Sequence, residues 1–196
     1  MNQVKTGLLI KKLRLQMNLT QKQLAQLINV SDKAISKWEC GNGCPDISSL
    51  HALSDVLKTD INVLLSGEFE KNESEKGIMK KMKFYVCETC GNIITSTSEA
   101  SVACCGNKLS ALEPKQADPI NSLNIQETED ELFITSSHQM TKEHYISFAA
   151  FLNDRTSIVC KQYPEWNFQF TLPLYRSGKL VWYCTKCGFF YQDIKK

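Results

Sequence analysis

The feature that most constrains this chain is the spacing of its cysteines. The run YVCETCGNIITSTSEASVACCGN sets Cys87 and Cys90 in a C-x2-C pair, followed after thirteen residues by the adjacent Cys104 and Cys105 and a glycine. In C-x2-C a tight turn lets two thiolates converge on one ion, and Gly91 relieves that turn. Adjacent cysteines are harder to bring together, because neighbours on a regular strand point to opposite faces. Both can reach one ion only where the backbone kinks, and Gly106 makes a kink easy. The segment is expected to hold one metal ion on four thiolates, with two ordinary disulfides as the lesser alternative.

Half of a second such site closes the chain. VWYCTKCGFFY holds Cys184 and Cys187, again C-x2-C followed by glycine, and a tetrahedral ion needs two more donors. Of the three histidines, His51 lies in a helical stretch and is read as a surface or packing residue. His138 and His144 stand six apart in SSHQMTKEHYISF. That spacing is about 240° around a helix and about 20 Å along a straight strand, so both reach one ion only if QMTKE turns. Three cysteines remain. Cys40 and Cys44 flank Gly-Asn-Gly; a disulfide there would make a redox switch, and small side chains in a loop is the simpler reading. Cys160 ends TSIVC and is expected to pack. Clustered cysteines with no positive-then-apolar leader, and no apolar run near about 18 residues, give the expectation of a reducing, cytoplasmic setting and no membrane.

The texture changes along the chain. Residues 1–66 carry Leu, Ile, Lys and Gln at helical spacing. Residues 67–82, GEFEKNESEKGIMKKM, mix charges with little apolar content and read as a linker or exposed helix end. From Lys83 onward, short β-rich runs (KFYVC, NIITSTS, ELFITSS, TSIVC, KLVWYC) are separated by Gly, Pro, Asn and Asp. The expectation is a multidomain α plus β chain: an all-α domain over 1–66, a linker over 67–82, a small β metal-thiolate module over 83–113 and a β domain over 114–196. Net charge is only +2, so any nucleic-acid binding needs a local patch. Residues 1–66 supply eight Lys/Arg against five Asp/Glu.

Within that segment LTQKQLAQLINVSDKAISKWECGNGCPD is the most informative run. Thr20 caps a helix, and Gln23 completes a capping box. Leu24, Ala25 and Ile28 share one face. Asn29 falls where a tight turn needs a residue tolerant of positive φ. Ser31 caps a second helix running to about Cys40, with Ile35 inward and Asp32, Lys33, Ser36 and Lys37 outward. Two short helices joined this way make a helix-turn-helix. LTQKQLA, VSDKAISKWE, Gly41 and Pro45–Asp46 together resemble the phage-repressor family of helix-turn-helix domains, a five-helix fold. The resemblance implies that the helix from Ser31 to Trp38 enters the major groove of double-stranded DNA, that Asp32, Lys33, Ser36 and Lys37 face the bases, and that Gln21 holds a phosphate. Lysine suits a guanine edge and aspartate a cytosine amino group. It also implies a homodimer on an inverted repeat. Arg14 and Glu39 match a structural ion pair of that family and are left out of the site, while Trp38 is read as packing or contact.

The C-x2-C…C-C-G run resembles the desulforedoxin module that opens the desulfoferrodoxins, which holds one iron on four cysteines. Iron is the favoured ion at Cys87, Cys90, Cys104 and Cys105, and zinc suits the same donors. HQMTKEHYISF followed by WYCTKCGFFY resembles the superoxide reductase domain of the same family, an immunoglobulin-like β-sandwich. There the matching histidine pair and first cysteine bind ferrous iron. The chain departs from that family twice. No histidine stands near Ala117 in EPKQADPIN, where the family has a ligand histidine beside a lysine, and Cys187 replaces the family's last histidine. His138, His144, Cys184 and Cys187 instead form a closed two-His, two-Cys set, for which zinc is favoured over iron.

These readings lead to a DNA-binding transcriptional regulator with a metal-binding, desulfoferrodoxin-like C-terminal half able to sense redox state or metal. Two rivals stand beside it. One is a superoxide reductase-type iron enzyme carrying a helix-turn-helix, which the missing histidine and lysine oppose. The other is a regulator whose zinc sites are purely structural.

Overall fold

The computed structural model describes residues 2–68, 78–174 and 177–195. The chain divides into two compact units, residues 1–71 and 72–196. Residues 69–77 of the expected linker lie outside the described residues.

Five helices build the first unit: α1 (Gln3–Gln16), α2 (Gln21–Leu27), α3 (Asp32–Glu39), α4 (Ile47–Leu57) and α5 (Ile61–Ser66). Each start is capped by a polar side chain, from Asn2, Thr20, Ser31, Asp46 and Asp60 in turn, which accepts a bond from an N–H of the first helical turn. The expected capping box is present. Gln23 N–H donates to Thr20 Oγ1 at 3.2 Å, and Thr20 N–H donates to Gln23 Oε1 at 2.8 Å. Asn29 turns the chain between α2 and α3 at φ +57°. Ile10, Leu24, Ile35, Leu53 and Leu64, one from each helix, are completely buried and meet in one core. α1 runs so close to α3 that a Cβ on Gly7 would lie 1.9 Å from the Trp38 carbonyl oxygen.

Beneath this core Arg14 grips Glu39 in a fork, Nε to Oε1 at 2.6 Å and Nη2 to Oε2 at 3.0 Å. Arg14 Nη1 also donates to the Leu19 carbonyl at 2.6 Å. Both side chains are under a tenth exposed, so each charge depends on the other for the hydration it has lost. Trp38 is buried, which settles it as packing.

The second unit is β-rich. A 3-10 turn (Met79–Lys81) leads into two small hairpins, β1 (Lys83–Val86) with β2 (Ile93–Ser96) and β3 (Val102–Cys104) with β4 (Asn107–Leu109). Eight more strands follow: β5 (Lys115–Gln116), β6 (Asn124–Glu127), β7 (Glu131–Thr135), β8 (Ile146–Leu152), β9 (Ser157–Lys161), β10 (Gln169–Pro173), β11 (Ser177–Cys184) and β12 (Gly188–Lys195). They form a three-stranded sheet, β10-β7-β6, and a five-stranded sheet, β5-β12-β11-β8-β9. Leu132, Ile134, Phe170 and Leu172 of the first sheet share one core with Ile146, Phe151, Leu180, Trp182 and Phe190 of the second. This is the expected immunoglobulin-like sandwich.

The outer face of the five-stranded sheet is covered as well. Phe148, Ala150 and Leu152 of β8, Val181 of β11 and Phe189 of β12 pack with Phe84 of β1 in a second buried layer. Phe84 and Phe148 stack with centroids 5.3 Å apart. The strand β8, ISFAAFL, is therefore apolar on both sides and lacks the alternation that marks a half-exposed strand. Its parity is broken once. β11 pairs Tyr183 with Phe148 but Cys184 with Ile146, leaving Ser147 as an extra residue. This β-bulge sends Ile146 to the sandwich core and Phe148 to the outer layer.

Replacing Arg14 with Met should destabilise the first unit by about 3–5 kcal/mol, because the Glu39 carboxylate stays buried without its cation; urea unfolding followed by far-UV circular dichroism measures this. The pair also sets an acid limit. Burial pushes the Glu39 carboxyl up, but hydrogen bonds from Arg14 and Gln21 and the Arg14 charge outweigh it and hold its pKa below the usual value. A carboxyl depressed on folding stabilises above its unfolded pKa and loses that contribution as pH falls through the folded one. Wild-type stability should therefore decline through and below the ordinary glutamate range, and Glu39→Gln should flatten that limb of the pH profile.

Candidate metal centres and nucleic-acid interface

The sulfurs of Cys87, Cys90, Cys104 and Cys105 all lie within 4.8 Å of one another. Two local structures bring them there. After β1, Gly91 N–H donates to the Cys87 carbonyl at 2.8 Å, with Gly91 at φ +67°, which closes the C-x2-C turn. The adjacent pair is solved by a hairpin. Cys104 pairs with Asn107 across β3 and β4, so Cys105 and Gly106 are the whole loop. Their φ values, +50° and +80°, are those of a type I′ turn, whose two central residues are both left-handed. The kink expected from Gly106 thus begins one residue earlier, at a cysteine, and turns Cys105 back beside Cys104.

The donor set fits an ion. Sulfurs at about 2.3 Å from a tetrahedral zinc or iron stand about 3.8 Å apart, and Cys90 and Cys104 are separated by 3.6 Å. Backbone N–H of Cys90 pulls the Cys87 thiol down to about 6. Hydrogen bonding with Cys90, Cys87 and Cys104 pushes Cys105 up to about 12. Four thiolates this close repel one another, and a central cation is the charge that relieves them. Asn92 Nδ2 points at Cys104 Sγ at 3.8 Å, a contact not legible in the sequence, since an amide facing a sulfur has no spacing rule.

The second set, His138, His144, Cys184 and Cys187, also has its ligand atoms within 4.8 Å of one another. Cys184 continues the inward-facing series Leu180 and Trp182 of β11 and sits at the end of the sandwich core. Its sulfur accepts N–H bonds from Lys186 at 3.4 Å and Cys187 at 3.3 Å. The histidines arrive on the β7–β8 connection, which turns as the spacing demanded. Thr141 N–H donates to the His144 carbonyl at 3.0 Å, and His144 N–H donates to Thr141 Oγ1 at 3.1 Å. Their rings meet edge to face, 4.7 Å between centroids. Cys187 Sγ lies 3.1 Å from His144 Nε2 and 3.8 Å from His138 Nε2. His138 Nδ1 lies 2.5 Å from the Gln139 carbonyl, which places its proton there and turns the Nε2 lone pair toward the cluster. Burial lowers the His138 pKa, favouring the neutral form that ligates. Two imidazoles and two thiolates fit a tetrahedral ion of the zinc kind. Ala117 offers no donor; its N–H bonds the Tyr191 carbonyl at 2.9 Å.

The remaining cysteines take no part in either set. Cys40 ends α3 and is exposed, and Cys44 is half-buried. Cys160 packs against the sandwich core, as expected.

On the helical unit, Asp32, Lys33 and Lys37 are exposed along α3, and Ser36 is half-buried beside them. Ile35 points inward, completely buried. Asp32 Oδ1 accepts the Lys33 N–H at 2.8 Å. Gln21 Nε2 donates to Glu39 Oε2 at 2.8 Å, which ties the start of α2 to the end of α3.

Comparison with known proteins divides along the same line. Residues 10–64 match the helix-turn-helix family. The transcriptional activator BcrR of Enterococcus faecalis is 49% identical over 59 residues, 30% of this chain and 29% of that protein. The chain thus spans less than a third of that activator's length. YqaE, an uncharacterised helix-turn-helix-type transcriptional regulator of Bacillus subtilis (strain 168), is 24% identical over 96 residues, 47% of this chain and 83% of that protein. The superoxide reductase from Treponema pallidum superposes with a TM-score of 0.50 at 17% identity, over 58% of this chain and 98% of that one. It shares the fold. No described helix is long and apolar enough to cross a membrane.

Nothing lies within 4 Å of a Cβ added to Gly106, so Gly106→Ala is penalised by its backbone alone, about 1–2 kcal/mol. That strain should weaken metal binding at the four-cysteine cluster by roughly tenfold, read by competition with a chelator. Unchanged affinity would mean that the turn does not hold Cys105 in place.

Proposed function

We propose that the chain is a sequence-specific, DNA-binding transcriptional regulator whose second unit carries two metal ions, and that it acts as a homodimer on an inverted-repeat operator. One observation carries the reading: a helix-turn-helix with its outward α3 side chains uncommitted to the core shares a chain with two converged ligand sets. In this reading α3 enters the major groove, Asp32, Lys33, Ser36 and Lys37 face the bases, and Gln21 reaches a phosphate while bonded to Glu39. The cytoplasm, where thiols stay reduced, is the setting this chemistry suits.

Cys87, Cys90, Cys104 and Cys105 would hold iron, and His138, His144, Cys184 and Cys187 would hold zinc. Bound iron supplies one-electron redox sensitivity, and bound zinc a redox-inert crosslink. The chain's own residues make the first cluster the responsive one. Among the described residues, no side chain of β3 or β4 belongs to a buried core cluster, so that hairpin is fastened by its cysteines and by the Tyr85 hydroxyl, which bonds the Ala100 N–H and carbonyl just before β3 at 3.2 Å and 3.3 Å. The second cluster is anchored by Cys184 in the sandwich core and has little to let go.

The enzymatic alternative has the fold in its favour. Against it stands the composition of the second cluster, whose four donors form a closed set where a catalytic ion keeps an open position. A purely structural role for both ions is the remaining alternative, and metal identity separates it from sensing.

The test begins with elemental analysis of the full chain, purified without oxygen from cells supplied with iron and zinc. One iron lost in Cys104→Ser and one zinc lost in Cys184→Ser is the expected result. Operator selection from random duplexes should then return an inverted repeat. Lys33→Ala or Lys37→Ala should weaken specific binding by about 1–3 kcal/mol each, with analytical ultracentrifugation giving two chains per duplex. DNA affinity that is identical with and without metal would remove the sensing role.

A further inference from the structure

The main-chain ladder between β8 and β11 ends at the pairing of Cys184 with Ile146. The next residue, Thr185, carries the connection on by other means. Its backbone N–H donates to the Tyr145 carbonyl at 3.0 Å. Its hydroxyl accepts the Tyr145 N–H at 3.3 Å and donates to the Glu143 carbonyl at 3.1 Å. The residues on both sides of His144 are therefore bonded to a single side chain that lies between the two cysteines of the C-x2-C turn.

We propose that Thr185 is a positioning residue for the second cluster: its hydroxyl extends the β8–β11 pairing into the histidine-bearing turn and fixes His144 against Cys187. The proposal rests on the reading that His138, His144, Cys184 and Cys187 bind metal. Met140 packs the histidine turn against the sandwich core, and its Sδ accepts the Ile146 N–H at 3.4 Å, but it makes no bond to the turn that carries Cys187. Thr185, Lys186 and Cys187 are exposed, so the turn that carries Cys187 is not held by burial. A further side-chain link between the two turns, Lys186 Nζ to Glu143 Oε2 at 3.7 Å, joins two exposed side chains, a pairing that constrains geometry weakly. The Thr141–His144 bonds shape the histidine turn within itself but do not tie it to β11. The backbone bond from Thr185 N–H holds Tyr145 alone; the hydroxyl adds the side-chain tie that reaches both neighbours of His144, at 3.3 Å and 3.1 Å. Residues that orient ligands in this way commonly change metal affinity by about 10–100-fold when removed.

Valine matches threonine in shape and lacks the hydroxyl; serine keeps the hydroxyl. The experiment loads the full chain with cobalt(II), assigns the second cluster's visible spectrum by difference from Cys184→Ser, and titrates wild type, Thr185→Val and Thr185→Ser against a chelator. Thr185→Val should bind cobalt at this cluster about tenfold or more weakly, with altered ligand-field bands, while the four-cysteine cluster and metal-free thermal unfolding stay unchanged. Thr185→Ser should restore both affinity and spectrum. Equal affinities in wild type and Thr185→Val, or a serine variant as weak as the valine one, would overturn the proposal. A wild-type chain whose cobalt content is untouched by both His144→Ala and Cys184→Ser would instead overturn the metal reading on which it rests.

Discussion

A sheet buried on both faces cannot be built by its own sandwich alone. The five-stranded sheet turns Ile146, Ala149 and Phe151 toward one layer and Phe148, Ala150 and Leu152 toward the other. Without β1 over them, Phe148, Val181 and Phe189 would present a contiguous apolar face to water, the kind of surface soluble proteins cover. The Phe84 ring supplies that cover. The β1–β2 hairpin and the sandwich therefore share a core, and residues 72–196 form one compact unit, although the sequence divides them by composition. Cys87 follows directly from the strand that carries Phe84 and is itself buried, so the first cluster is tied to the same apolar layer as the rest of the unit.

The two clusters use one device and finish it differently. Each begins with a C-x2-C turn that ends in a glycine at positive φ, Gly91 in one and Gly188 in the other. The first adds two more thiolates from a hairpin, Cys104 at the end of β3 and the exposed Cys105 in its two-residue loop. The second adds two imidazoles from a loop clamped to the end of β11. Thiolates that neighbour one another depend on an ion to offset their charge. In the second set only Cys184 and Cys187 bring that need, and burial holds the His138 pKa down. The contrast makes the first site the more ion-dependent part of the architecture.

Much of this was legible in the sequence, for identifiable reasons. Helix starts were readable because Thr20, Ser31 and Gln23 bond to backbone only a few residues away, and local chemistry leaves local signatures. The turn between His138 and His144 could be inferred because neither helix nor strand lets six-residue spacing converge. The strand β8 escaped notice because burial on both faces erases alternation. The left-handed conformation fell on Cys105 as well as Gly106 because a two-residue loop was closing β3 onto β4, and a pairing partner cannot be read from one strand. The bond from Gln21 to Glu39 and the bonds around Thr185 join residues far apart in the chain. They become visible only when the fold has brought them together.

The extra residue at Ser147 has a meaning of its own. A strand addresses its side chains by odd and even count, and the bulge shifts that count by one just after the chain leaves the histidines of the second cluster. Upstream of it, Ile146 faces the sandwich interior beside Cys184; downstream, Ala149 and Phe151 face that interior while Phe148, Ala150 and Leu152 serve the layer beneath Phe84. The two layers are thus written on one strand in two different frames. A chain that lost Ser147 would keep all four ligands of the second set in its sequence, while Ile146 and the histidine turn before it lost their register with β11.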